Sequence, residues 1–259
     1  MAERRKNKKR NHADRGGIRV LSRLLYLLAA LSAVLIAAVV FFRVDKVEVS
    51  GSMRYEAAEI LSVADVQLGD NLFLINKNAM ARRMLTFLPY LDEIIIVREL
   101  PDGISISVTD CVPVAYFSQD GAYFIIDVKC KVLERLDAPP NLPEMTGLTA
   151  LNPVVGFKLA VGESERERLT ALTRLLAMLH QREMSDTISE LDLTGLRYLT
   201  VGYEGRIAVR YAYTGDYAYA TNRAKLILEQ RLLPTEFGIL DVSDDDRDAH
   251  FLPIDTSAS

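Results

Sequence analysis

Residues Leu24–Phe42, LLYLLAALSAVLIAAVVFF, run for 19 positions without a charge. As a helix rising about 1.5 Å per residue the stretch is roughly 28 Å long, close to the ~30 Å hydrocarbon core of a bilayer. A helix apolar on every side needs lipid or a large core around it, and the flanks select lipid. Upstream, residues 1–23 carry nine Lys and Arg against only Glu3 and Asp14. The positive-inside rule places that tail in the cytoplasm and everything after Phe42 outside it. The competing reading is a cleaved signal peptide. The run is longer than the apolar region of about 7–15 residues in such peptides, and Val39-Val40-Phe41-Phe42-Arg43 offers no small-x-small cleavage site. Beside a membrane helix, the basic tail reads as a topology signal and anionic-lipid contact rather than a nucleic-acid arm.

After Phe42 the chain holds 22 basic and 33 acidic residues, a balance with no basic face for nucleic acid. The 217 residues there suffice for one large or two small domains. The two cysteines, Cys111 and Cys130, would face a side of the membrane where disulfides persist. A pair and two separate thiols are both compatible with the sequence. No CxxC and no Cys/His metal spacing occurs.

Hydrophobic periodicity predicts an α+β fold. Val44–Ser50 alternates as a half-buried strand ended by Gly51. Tyr55–Val63 has helical spacing, and Gly69-Asp70-Asn71 is turn chemistry. Asn76–Leu88 is a second helix, capped by Asn76 or Asn78 and stopped by Pro89. Glu93–Leu100, with its IIIV run, predicts a buried strand. Pro101-Asp102-Gly103 turns into the alternating strand from Ile104 to Val108. The order is β-α-α-β-β, with both helices on one sheet face.

Farther on, strands are predicted at Val114–Phe117, Tyr123–Asp127 and Val132–Leu136, the first two joined by a type I′-like turn at Asp120-Gly121. A proline-rich surface segment spans 138–143. Ser164-Glu165-Arg166-Glu167 fits a capping box opening a helix to about Glu183, with Leu169, Leu172, Leu176 and Leu179 on one face. Three strands follow, Ile188–Leu193, Tyr198–Tyr203 and Arg206–Tyr211. A helix over Tyr217–Leu233 comes next, capped by Thr214 or Asp216. Two last strands lie at Gly238–Ser243 and Ala249–Leu252. Leu191-Asp192-Leu193-Thr194 and Leu240-Asp241-Val242-Ser243 echo one another as strand ends able to form Asx or Ser/Thr turns, which common turn needs explain without duplication.

An apolar anchor followed by VDKVEVSG, LGDNLFLIN, LPYLDEIIIVRELPDGISISVTD and VPVAYF resembles the bacterial cell-division family FtsQ/DivIB and its membrane-proximal POTRA domain. Gly51, Gly69, Asn71-Leu72-Phe73, Pro89, Val97-Arg98, Pro101 and Pro113-Val114-Ala115 fall at the family's motif positions. Asp110-Cys111 and Ile95 depart from it. The ending GILDVSDDDRDAHFLP is similar to the end of the family's β-domain. The resemblance implies a basic cytoplasmic tail over 1–23, a transmembrane helix over 24–42, a POTRA domain over 44–111, an open mixed β-domain with two helices over 112–253, and a short polar tail over 254–259. It also implies a type II inner-membrane protein enriched at the septum. Such a protein is non-enzymatic, binds the bitopic proteins FtsB/DivIC and FtsL, and supports septal peptidoglycan synthesis. A membrane-anchored cell-wall enzyme and a POTRA-containing translocation or assembly accessory are the alternatives.

The residues offer little catalysis. His12, His180 and His250 have no nucleophile arrangement around them. Asp244-Asp245-Asp246-Arg247-Asp248 lacks EF-hand spacing and its closing Glu, and reads as a solvated acidic turn. No cofactor or metal is expected. Binding remains. An open sheet leaves unpaired backbone groups on its last strand, to which a partner strand can add. The expected partner surface is Asp241, Val242 and Ser243 with Ala249, His250, Phe251 and Leu252, beside the last helix. His250 and Leu252 would face one way, Ala249 and Phe251 the other, and Pro253 would end the strand.

Overall fold

The computed structural model describes residues 14–244 and 248–254. Residues 1–13, with six of the nine basic tail residues and His12, lie outside the described residues, as do Asp245, Asp246 and Arg247 of the acidic turn and residues 255–259.

The first element is a continuous helix, α1 (Asp14–Phe41). Leu24, Leu25, Tyr26 and Leu27, which step once around the helix, are all exposed. Among the described residues no helix is long and apolar enough to cross a membrane. The side chains of Leu35, Ala38 and Val39, inside the stretch expected to span, lie outside the described residues.

The next unit is β1 (Lys46–Ser50), α2 (Ala57–Ala64), α3 (Lys77–Phe87), β2 (Leu91–Glu99) and β3 (Gly103–Asp110), the predicted order. The strands lie β1-β3-β2, with β1 parallel and β2 antiparallel to the central β3. Asn76 caps α3 by accepting from the Ala79 amide at 3.1 Å. Ile60, Leu72, Met84, Leu91, Ile104 and Ile106 form a core between the helices and one sheet face. Because helices cover only that face, the expectation of a wholly buried IIIV strand is corrected. Ile96 is buried, while Ile95 and Val97 are 53% and 49% exposed.

The remaining strands form one mixed sheet: β4 (Pro113–Gln119), β5 (Ala122–Asp127), β6 (Val132–Leu136), β7 (Glu144–Thr146), β8 (Ile188–Asp192), β9 (Tyr198–Tyr203), β10 (Ile207–Ala212), β11 (Gly238–Asp241) and β12 (His250–Pro253). Among the described residues their order is β12-β11-β10-β9-β8-β7-β4-β5-β6. Two helices, α4 (Arg166–Gln181) and α5 (Tyr217–Gln230), share the core with its strands. Leu172, Leu175, Leu176 and Leu179 of α4 are fully buried, each contributing about 1.5–3 kcal/mol. Asp216 caps α5 through the Ala218 and Tyr219 amides.

The capping box at Ser164 does not form. A 3-10 turn over Glu163–Glu165 precedes α4, and no side chain caps it; Glu165 instead accepts from the Thr149 amide. Strand β7, three residues long, escapes sequence reading because so short a segment shows no periodicity.

The tetrapeptide echo is the visible part of a larger repetition. β7-α4-β8-β9 and β10-α5-β11-β12 share one plan: strand, helix, parallel neighbour, then antiparallel neighbour. In both, an Asp closes an Asx turn, Asp192 on the Thr194 amide and hydroxyl and Asp241 on those of Ser243. In both, a helix arginine donates to the intervening carbonyl, Arg168 to Leu193 and Arg223 to Val242. The two units meet where β9 pairs antiparallel with β10.

A third cluster, Tyr90, Cys111, Ile125 and Leu133, joins the two sheets. The Tyr90 hydroxyl donates to Glu134 at 2.6 Å, and Arg54 lies 3.5 Å over the Tyr90 ring. Lys129 bonds both Asp92 oxygens, and Lys131 donates to the Leu91 carbonyl.

Candidate functional site

β12 is the outermost strand of the long sheet and pairs with β11 on its inner side, Asp241 opposite His250 and Gly238 opposite Pro253. The Ile254 amide donates to the Phe237 carbonyl at 2.8 Å. Antiparallel pairing alternates inward and outward backbone groups, so residues 250 and 252 bond β11, in step with Ile254 on Phe237 just before that strand. The Phe251 N–H and C=O and the Pro253 carbonyl point away from the sheet. Pro253 ends the strand as its last residue, one position farther than expected, and is tolerated in the ladder because its missing N–H is on the outward side.

Side chains alternate in the other direction. Ala249 and Phe251 pack on the core of the long sheet. His250 is exposed and Leu252 is 46% exposed. A close approach holds the strand there: a Cβ at Gly238 would meet the Leu252 carbonyl oxygen and lie 2.7 Å from the Phe251 ring.

The expected site residues therefore divide. His250, Leu252 and the Phe251 backbone lie along the free edge. Val242 is buried, its amide bonded to the Arg210 carbonyl and its carbonyl to Arg223. Asp241 and Ser243 are half-buried and use their side chains on one another. These three fix the end of β11, with Asp241 and Ser243 still partly accessible there. The opposite rim of the sheet is β6, whose Leu133 and Leu136 belong to the cluster between the sheets.

One group that sequence spacing did not find could hold a metal: Asp92, Cys111 and Asp127 converge at the sheet junction. Strand β2, the link between β3 and β4, and the end of β5 bring them together, so no local motif announces them. Their donors are already used. Lys129 Nζ sits 2.6 and 2.7 Å from the Asp92 oxygens, and Asp127 Oδ1 accepts the Lys129 and Lys131 amides. Burial pushes the Cys111 thiol up to about 12. The lysine ammonium supplies the positive charge there, and the cluster serves the junction.

Residues 42–110 match the family model described as POTRA domain, FtsQ-type. The chain is 26% identical over 207 residues to cell division protein DivIB of Clostridium botulinum, spanning 78% of this chain and 79% of that protein. It is 28% identical over 211 residues to cell division protein FtsQ of Syntrophotalea carbinolica, across 79% and 71% of the two chains. It is 35% identical over 104 residues to FtsQ of Streptomyces griseus, across 40% and 50%. A small sheet with two helices on one face, followed by a long sheet that ends, among the described residues, on β12, makes this a POTRA-bearing chain with a second, larger sheet. Residues 42–110 thus match an FtsQ-type POTRA domain, and over most of its length the chain is similar to the cell division proteins FtsQ and DivIB.

Proposed function

We propose that this chain is a single-pass membrane scaffold of the bacterial division machinery that accepts a partner strand along the outer edge of β12. In this reading residues 24–42 anchor it, with the basic tail cytoplasmic and both sheets outside. Residues 44–111 act as the POTRA domain and residues 112–253 as the β-domain. Its partners are FtsB/DivIC and FtsL, and the assembly supports septal peptidoglycan synthesis without covalent chemistry by this chain. The relatives' names as cell division proteins support the process.

The observation that carries the site is the outward row of Phe251 N–H, Phe251 C=O and Pro253 C=O, flanked by exposed His250 and Leu252. The repeated unit supports a direction. β12 stands in the second unit where β9 stands in the first, and β9 receives β10 antiparallel. With so few outward groups, main-chain bonding is sparse, and the side chains beside it carry much of the selectivity.

The test is co-purification of the full-length protein with its FtsB/DivIC-type partner. The pair His250→Glu and Leu252→Asp should lower affinity about tenfold, one apolar contact's worth at an interface. Undiminished capture would reject the edge as the site. A fluorescent fusion spread evenly over the membrane of dividing cells would reject the division role.

A further inference from the structure

The loop between α2 and α3 is tied by backbone bonds to the chain leaving α1. The Leu72 amide donates to the Phe42 carbonyl at 3.0 Å, the Val44 amide to the Asp70 carbonyl at 2.8 Å, and the Gly69 amide to the Val44 carbonyl at 2.8 Å. Arg43 and Asn71 form an antiparallel bridge. The Phe73 ring meets the Phe42 ring edge-on with centroids 5.0 Å apart. From the other side Arg98 grips the loop, its Nε 2.6 Å from the Leu72 carbonyl and its Nη2 2.8 Å from that of Ile75. The loop is therefore held in a fixed pose on the residues that follow α1.

Its apolar residues split in that pose. Leu72 is buried in the core, whereas Leu68, Phe73 and Leu74 are 73%, 53% and 78% exposed. Single exposed leucines are ordinary on a protein surface. Three within seven residues, on a clamped loop touching the last apolar residue of the 24–42 stretch, are not scattered. A helix of that stretch covers roughly the hydrocarbon thickness, which puts Phe42 at its boundary and anything bonded to Phe42 at headgroup depth. Lipid is the occupant with a geometric reason to be there. Asp65 is paired with Arg83, and Asp45 and Asp70 offset Arg43, so no excess of positive charge draws anionic headgroups there and the contact is apolar.

We propose that Leu68, Phe73 and Leu74 form a second membrane contact, seated among the lipid headgroups beside the end of α1, so that the first sheet rests against the bilayer instead of swinging from its anchor. This rests on the reading of residues 24–42 as the anchor, and the experiment separates the two. The chain has no tryptophan, so single reporters are clean. Full-length Phe41→Trp, Leu74→Trp and Leu196→Trp variants, the last on an exposed loop of the long sheet, are placed in nanodiscs of zwitterionic lipid. Part of that lipid carries a quencher at headgroup depth.

The expected result is blue-shifted, quenched emission at positions 41 and 74, unchanged by high salt, and unshifted, unquenched emission at 196. Quenching at 41 without quenching at 74 overturns the contact and leaves the anchor standing. No quenching at 41 overturns the anchor and the contact with it. Blue-shifted but unquenched emission at 74 assigns the patch to a protein neighbour and also overturns the proposal. Equal quenching at 74 and 196 means general adsorption and does the same.

Discussion

A methyl group at position 238 would collide with the Leu252 carbonyl and press on the Phe251 ring, neither of which can move without lifting β12. Gly238→Ala is expected to cost about 1–3 kcal/mol by overpacking. The loss should be local: amide hydrogen exchange speeds up across residues 250–254 while β8 and β9 keep their protection. The two cysteines give a second prediction. Cys111 and Cys130 are free and buried in different clusters, and burial raises both thiols to about 12 from an ordinary 9.0. The folded protein should not react with a thiol reagent at pH 8, and the unfolded chain should react at both sites. Because the folded values are the higher ones, the stability they contribute is fully present below pH 9.0 and falls as pH rises from 9.0 toward 12. Tyr217, raised to about 12 by burial, adds to the same alkaline loss. Denaturant midpoints measured between pH 8 and pH 11 should decline, and a flat profile would contradict the burial argument.

At the scale of an element, β12 has one outward amide between its first residue and Pro253, that of Phe251. Replacing that amide by an ester, with phenyllactic acid introduced by semisynthesis of the C-terminal segment, removes the N–H and keeps the ring in the core. It should weaken partner capture by about 1 kcal/mol, roughly fivefold in Kd, with little change in stability. Equal affinity would mean that partners bind the sheet face instead. The alternation of residues 249–252 that underlies this prediction was legible in the sequence, as were the Asn76 and Asp216 caps and the turn at Asp120-Gly121, where both residues have positive φ. All are local chemistry: period two, a short polar side chain, a glycine. What was illegible depended on distant partners. Val242 looks like Leu252 in sequence, but the Arg210 carbonyl and the Arg223 guanidinium draw it inward. Strand β7 exists only because β4 and β8 flank it. The likeness of the two βαββ units showed as four residues because the plan is conserved in pairing directions, which no single strand encodes.

For the whole molecule, the question is whether a pull on the free edge reaches α1. The two sheets are joined by more than the chain between β3 and β4. Tyr90 is nearly buried between Leu133 and Ile125, donates to Glu134, and carries the Arg54 guanidinium on its ring. Its own amide donates to the Tyr55 hydroxyl, and its carbonyl accepts from the Cys111 amide at 2.6 Å. Burial and the hydrogen bond to Glu134 both disfavour its phenolate, so the contact keeps its hydroxyl proton throughout the physiological range. Tyr90→Phe removes only the bond to Glu134, and about 1 kcal/mol is expected. Tyr90→Ala also removes the ring, for about 3 kcal/mol in total. Most of that second loss falls on the coupling between sheets, because the cores around Ile106 and Leu191 do not contain Tyr90. Calorimetry of the full-length protein should therefore show one cooperative transition for the native chain and for Tyr90→Phe. Tyr90→Ala should split it into two, the earlier belonging to the smaller sheet, which has less core to lose. A single transition merely shifted downward in Tyr90→Ala would mean that the sheets are coupled elsewhere, with Lys129 on Asp92 and Lys131 on the Leu91 carbonyl the contacts left to carry it.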